Sequence, residues 1–145
     1  SVQSMQFMMV RTGEALNREG KQEQAVALGD QYFEAFPNFN FPYDYQTAYM
    51  LDVYIRAGAY EKAKPHLDIL ANNILDELEF YGSLSPQVLQ SSYAQQQRYA
   101  QTTASSLLSF AQQADDQESL QRYQALFGSY LAPAPPAPTQ QPLKD

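Results

Sequence analysis

A chain of 145 residues, 44% of them apolar, is the size of one domain and long enough to bury about 68–70% of the surface its unfolded form exposes. It has no cysteine and a single histidine, His66, which excludes disulfides, thiolate metal sites and multi-histidine metal sites. A formal net charge of −7 and a pI near 4.5 leave no basic stripe for a phosphate backbone, so nucleic acid is not an expected partner.

No apolar run approaches the roughly 18 residues needed to span a bilayer. The opening Ser1-Val2-Gln3-Ser4 lacks both an initiator methionine and the layout of a signal peptide. The sequence therefore reads as a processed or excised part of a longer chain.

From Val2 to Glu19, the residues Met5, Met9, Thr12 and Leu16 fall on one helical face, with Phe7 and Val10 off it. That apolar arc is wider than one partner requires. Gly20 ends the helix, because glycine adopts the left-handed conformation without a Cβ clash. A second helix, from about Lys21 to Phe36, turns Ala25, Leu28, Tyr32 and Phe36 inward and is stopped by Pro37. After the connector Asn38 to Pro42 (NFNFP), helical spacing resumes from Tyr43 to Ala57 through Thr47, Met50, Leu51, Tyr54 and Ile55, with Gly58 as its cap.

From Tyr60, the residues Ala63, Leu67, Leu70, Ile74, Leu78 and Tyr81 make the clearest stripe in the chain. Pro65 predicts a kink in the first turn or a later helix start. GSLS (Gly82 to Ser85) breaks the pattern, and Ser85-Pro86 opens a helix to about Ala114 with Leu89, Tyr93, Ala100, Ala104, Leu107 and Ala111 on one side. Between Tyr81 and Ala114 its only charged residue is Arg98; Gln, Ser and Thr fill the polar positions. A last helix, capped by Asp115-Asp116, presents Leu120, Tyr123, Phe127 and Tyr130. The tail at 132–145, APAPPAPTQQPLKD, is expected to be extended or flexible.

Two segments repeat: Gly20 to Pro37, and a weaker copy from Gly58 (GAYEKAKPHLDIL). Both fit the tetratricopeptide (TPR) helix-turn-helix unit of 34 residues. The first copy places Met9 at the large apolar position of the first helix, Gly13 at its small crossing position and Leu16 at its aromatic position, with Gly20 at the turn, Ala25 at the small position of the second helix and Pro37 at the end. Gly29 falls where the pattern wants an aromatic. The second copy places Met50, Leu51 and Tyr54, then Gly58, then Ala63, with Leu75 in place of the final proline. The predicted fold is all-α: TPR-like antiparallel hairpins of about six helices in a single domain, 1–131. Repeat one covers 6–39, repeat two 44–81, and capping helices 86–131 close the array, since two repeats do not bury their own faces.

Neighbouring carboxylates (Asp76, Glu77 and Glu79; Asp30 and Glu34) have no group near them in sequence to separate their pKa values, so they read as solvated faces and not as catalytic pairs. His66 has no sequence partner for a triad or metal and reads as a surface residue. No catalytic residue, metal site or cofactor is expected.

Two binding surfaces are candidates. Val10, Glu14 and Asn17 with Ala48, Asp52, Ile55 and Arg56 would line a groove suited to an extended peptide or a docked helix. Phe39, Phe41, Tyr43 and Tyr45 would either stack on sugars or pin the connector to the core. A protein or peptide partner is thus expected and a glycan is the alternative; dimerisation through the wide apolar arc of the first helix is a third outcome.

The order LNREGKQEQAVALGDQYFEAFP, FPYDYQ (Phe41 to Gln46), Tyr54 to Gly58 and EFYGSLS (Glu79 to Ser85) resembles the soluble C-terminal region of a bacterial family of multi-spanning membrane proteins. That family, first described as a domain of unknown function, is similar to protein O-mannosyltransferases. The resemblance covers roughly Met5 to Phe127, and its most specific parts are Pro42-Tyr43-Asp44-Tyr45 and Phe80 to Ser85. It implies a non-catalytic repeat domain after the last span, tethered to the inner membrane and facing the periplasm. The transferase chemistry would belong to the membrane-embedded part, so no catalytic residue carries over. The Gln-rich helix and the Pro-rich tail depart from the family pattern.

Overall fold

Helices follow one another with no strand between them in the computed structural model, which describes residues 1–131; the predicted flexible tail, 132–145, lies outside the described residues. In chain order they are α1 (Val2–Arg18), α2 (Gln22–Ala35), α3 (Tyr45–Arg56), α4 (Tyr60–Ser83), the short α5 (Pro86–Val88), a π turn (Leu89–Tyr93), α6 (Ala94–Gln113) and α7 (Gln117–Phe127). Counting α5, the π turn and α6 as one bent helix gives the six expected.

Three antiparallel hairpins result: α1/α2, α3/α4 and α6/α7. Each closes with the same three backbone bonds. At the first turn Glu19 N–H donates to Ala15 C=O, Gly20 N–H to Asn17 C=O and Lys21 N–H to Leu16 C=O. Ala57, Gly58 and Ala59 repeat the set onto Val53, Ile55 and Tyr54, and Ala114, Asp115 and Asp116 repeat it onto Phe110, Gln112 and Ala111. The motif requires a left-handed residue at its centre. Gly20 (φ 75°), Gly58 (φ 85°) and Asp115 (φ 56°) take that conformation. The helices expected only as a cap are therefore a third hairpin, with aspartate where glycine stands twice before.

The hairpins stack so that α1, α3 and α6 form one layer and α2, α4 and α7 the other, with α2 packed on α3 and α4 on α6. The core runs through both layers. Ala25, Tyr32, Met50, Leu51, Leu67, Leu70, Ile74, Leu78, Leu107, Tyr123 and Phe127 are almost wholly excluded from solvent. Each full-sized apolar side chain among them contributes about 1.5–3 kcal/mol of burial. Ala25 and Ala63 sit at the predicted close crossings, both at 0% exposure.

α1 packs on a different line from the expected one. Val10 and Gly13 are buried, whereas Met5 and Thr12 are exposed and Met9 and Leu16 only partly covered. Gly13 decides this: a Cβ there would lie 2.7 Å from Val53 Cγ1, so α3 approaches α1 along the Val10–Gly13 face. The ring missing at Gly29 comes from the next hairpin. Tyr54 of α3 lies over Gly29, where a Cβ would collide with its Cε1.

α4 starts at Tyr60 and runs through Pro65 without a break, so the later start is not found. The bond lost to the proline is that of Glu61 C=O, in an exposed first turn. The long helix expected from Pro86 is interrupted by the π turn, after which Tyr93 (φ −131°, ψ 6°) leaves helical geometry. The bend packs Tyr93 edge-on against Phe80 at 5.5 Å and beside Tyr81 at 5.9 Å. Ala100, Ala104, Leu107 and Ala111 are buried as the stripe predicts, while Leu89 and Tyr93 are half-buried.

Candidate functional site

Hydroxyl-to-carboxylate bonds lock the hairpins together. Tyr54 Oη donates to Asp30 at 2.6 Å, and Lys62 Nζ holds the same carboxylate at 2.9 Å, joining α2, α3 and α4. Tyr60 donates to Asp116 at 2.7 Å beside Lys64, and Tyr123 to Asp68 at 2.7 Å beside Arg122, tying α4 to α7. Burial and then the Asp30 bond push the Tyr54 phenol up. Burial and the acceptors Asp116 and Asp68 raise Tyr60 and Tyr123 likewise. Asp30 is held below the usual carboxylate range by Tyr54 and Lys62. Burial would raise Asp116, but the bonds from Tyr60 and Ser119 and that from Lys64 outweigh it and hold it low. These are structural clamps, with each carboxylate taking a tyrosine hydroxyl and a cationic side chain.

The connector residues do not share a face. Phe39 is 94% exposed, and Phe41 packs edge-on against Phe36 at 5.3 Å. Tyr43 is buried, its hydroxyl 2.8 Å from His66 Nδ1. Tyr45 opens α3 and stacks on Tyr99 of α6 at 4.8 Å. Phe41 and Tyr43 pin the connector to the core, whereas Phe39 and Tyr45 keep ring area exposed. Asn38 Oδ1 accepts from Tyr43 N–H at 2.9 Å and Asn73 Nδ2 at 2.8 Å, while Asp44 and Thr47 form a capping box on α3.

His66, expected at the surface, is part of that anchor. It stacks on Phe33 at 3.9 Å, and burial lowers its pKa. Glu77 likewise is not a solvated carboxylate: burial and then the charge of Asp44 push its pKa up. Asp76 and Glu79 are exposed as expected.

The groove candidates do come together. Where α1, α3 and α6 lie side by side, three adjoining hollows form one trough. The first, of about 510 Å³, is lined by Phe7, Val10, Arg11, Tyr45 and Tyr49, with Tyr32 as a further wall. The second, of about 420 Å³, holds Glu14, Asn17, Arg18, Asp52 and Arg56. The third, of about 250 Å³, lies between α3 and α6 and is lined by Ala48, Tyr99, Thr102 and Ser106. Tyr45 and Tyr49 are shared by the first and third, and Glu14 and Arg18 by the first and second. Ile55 lines none of the three hollows and packs against the core, while Val10 and Ala48 line the trough as buried members of that core.

One end of the trough is aromatic and the other charged. Phe7, Tyr45, Tyr49 and Tyr99 leave their rings in solvent, and Arg11 lies 5.6 Å above the Phe7 ring. At the charged end Arg56 Nε donates to Asp52 at 2.8 Å. Asn17 Nδ2 donates to Val53 C=O at 3.1 Å, fixing α1 to α3 beneath it, and Asn17 Oδ1 is buried without a partner among the described residues.

Tyr32 is 2% exposed, and its hydroxyl bonds to none of the described residues, unlike those of Tyr43, Tyr54 and Tyr123. Burial pushes this phenol up to about 12, keeping it a neutral donor. Sequence spacing missed Tyr49, Tyr99 and Phe7 as groove residues. The signal for Tyr49 was its place one turn after Tyr45, but the α6 contribution depended on a third hairpin that no repeat motif announced.

Among the described residues no group of three or more His, Asp or Glu side chains is placed to hold a metal, and no helix is long and apolar enough to cross a membrane. No protein-family model, curated protein or solved structure matches the chain.

Proposed function

We propose that this is a helical-repeat interaction domain that holds an extended polypeptide segment across α1, α3 and α6. The observation that carries this is the continuous trough with large rings exposed along one end and an ion pair at the other. An extended segment fits it because four exposed rings on adjoining walls offer apolar contact, while Arg11, Arg18, Glu14 and Asp52 offer polar anchors. The resemblance to the mannosyltransferase-like family supports a periplasmic setting, with the segment belonging to an acceptor polypeptide or a partner subunit.

Peptides selected on the chain from a random display library test this. Asp52→Ala and Arg56→Ala are expected to weaken them by about tenfold each, the value of one charge-assisted contact. Peptides that bind both variants as tightly as the parent chain overturn the groove assignment.

The outer face of α1 favours a second function: Met5 and Met8, 58% and 68% exposed, flank a shallow hollow against Leu28 and suit pairing with a second copy. Light scattering across a concentration series that returns only monomer rules it out.

A further inference from the structure

We propose that the outer face of α1 carries a thioether site for a soft monovalent metal ion, copper(I), held by Met5, Met8 and Met9. The site shares no lining residue with the trough and does not depend on the interaction function.

Three of the chain's four methionines fall within residues 5–9, and the fourth, Met50, is sealed in the core at 0% exposure. Burial does not account for the three, because Met5 and Met8 are exposed and Met9 is only partly covered. Helix formation does not account for them either, since leucine and methionine have nearly equal propensity. What methionine brings to an exposed face, and leucine lacks, is a polarizable sulfur with lone pairs.

The spacing i, i+3, i+4 puts the three side chains on one side of α1, with the Met5 Cβ about 5–6 Å from each of the other two. All three line one hollow of about 550 Å³. Each sulfur stands two bonds beyond Cβ on an unbranched, freely rotating chain, so three sulfurs from these positions reach a common point without moving the backbone. Leu28 of α2 forms an apolar wall of the same hollow, seated beside Gly13, whose added Cβ would lie 3.5 Å from Leu28 Cδ2.

The remaining walls decide which ion. No charged side chain lines the hollow. Its hydroxyls are already engaged: Thr12 Oγ1 donates to Met8 C=O at 2.9 Å, and the Ser1 and Ser4 hydroxyls bond each other at 2.9 Å. A hard divalent cation needs carboxylate or carbonyl oxygens in place of its water, and finds no carboxylate there. Copper(I), soft and singly charged, is matched by neutral thioethers. The chain has no cysteine to compete for it, and its one histidine is bonded to Tyr43 and stacked on Phe33.

The test titrates the full chain, isotope-labelled at the methionine methyls, with copper(I) under anaerobic conditions in competition with bicinchoninate, a chromophoric chelator. Silver(I) serves as a redox-inert second probe. The expected result is one ion per chain, with the methyl signals of Met5, Met8 and Met9 shifting together and that of Met50 unmoved; zinc(II) leaves all four in place. Met5→Leu, Met8→Leu and Met9→Leu together keep the apolar area and the helix propensity while removing the sulfur. This variant is expected to lose at least about tenfold in affinity, the loss that even an outer-shell partner of a metal causes, with its helical signal unchanged. Copper(I) held as tightly by the leucine variant, shifts confined to one methionine, or equal shifts with zinc(II) overturn the proposal. An end point at half an equivalent with a doubled mass places the ion between two copies and overturns the single-chain site.

Discussion

Single residues fix how closely the helices approach. Gly29 is indispensable for space and not for conformation, since Tyr54 fills the volume its Cβ would need while the same ring is tethered through its hydroxyl to Asp30. Gly29→Ala is expected to destabilise by about 1–3 kcal/mol, the usual cost of overpacking, measured by urea unfolding. Gly20→Ala meets no neighbouring atom, and its cost of about 1–2 kcal/mol comes from the left-handed backbone alone.

The clamp tyrosines give a pH signature. Their folded pKa values lie above the unfolded value of about 10, so their contribution is fully present below pH ~10 and lost as pH rises through the folded values. Phenolate absorbance should therefore appear together with loss of helical signal, and Tyr54→Phe should move that midpoint up. Asp30 and Asp116 act at the other limit, stabilising above pH ~4 and losing this as pH falls. His66, lowered by burial, starts the acid decline below pH ~6.5.

At the scale of elements, helix positions were legible because each carries a stripe with a period near 3.6 and a stop residue. α4 is the clearest case, with all six predicted stripe residues buried. On α1 the periodic stripe and the repeat pattern disagree: the apolar residues surround most of the helix, so periodicity does not select a line, and the contact line follows the small crossing position that the repeat pattern assigns to Gly13. The third turn was hidden because Asp115 replaces the expected glycine. An L-residue at φ 56° is strained, so Asp115→Gly is expected to raise stability by up to about 1 kcal/mol, and Asp115→Val to lower it. Thermal melts of the two variants check the sign. The π turn had no signal in the stripe, which continues through it in register; it is set by the packing of Tyr93 on Phe80.

For the whole molecule, the stacking of three hairpins turns a mixed set of helix positions into one trough. Val10, Glu14, Asn17, Ala48, Asp52 and Arg56 were recognisable as groove residues because two hairpins suffice to place them. The aromatic end was not, since Tyr99 reaches Tyr45 only through the third hairpin and Tyr45 had been grouped with the connector. His66 and Tyr43 likewise looked unrelated at 23 residues apart, yet the α2–α3 connector folds one onto the other.

The central claim, that the layer of α1, α3 and α6 is the binding face, is tested most directly by ring NMR of the full chain, isotope-labelled at tyrosine and phenylalanine and titrated with a selected peptide. Phe7, Tyr45, Tyr49 and Tyr99 are expected to shift while Phe39, Phe80 and the clamp tyrosines stay in place. Shifts at Phe39 and Phe80 with the trough rings unmoved would contradict it.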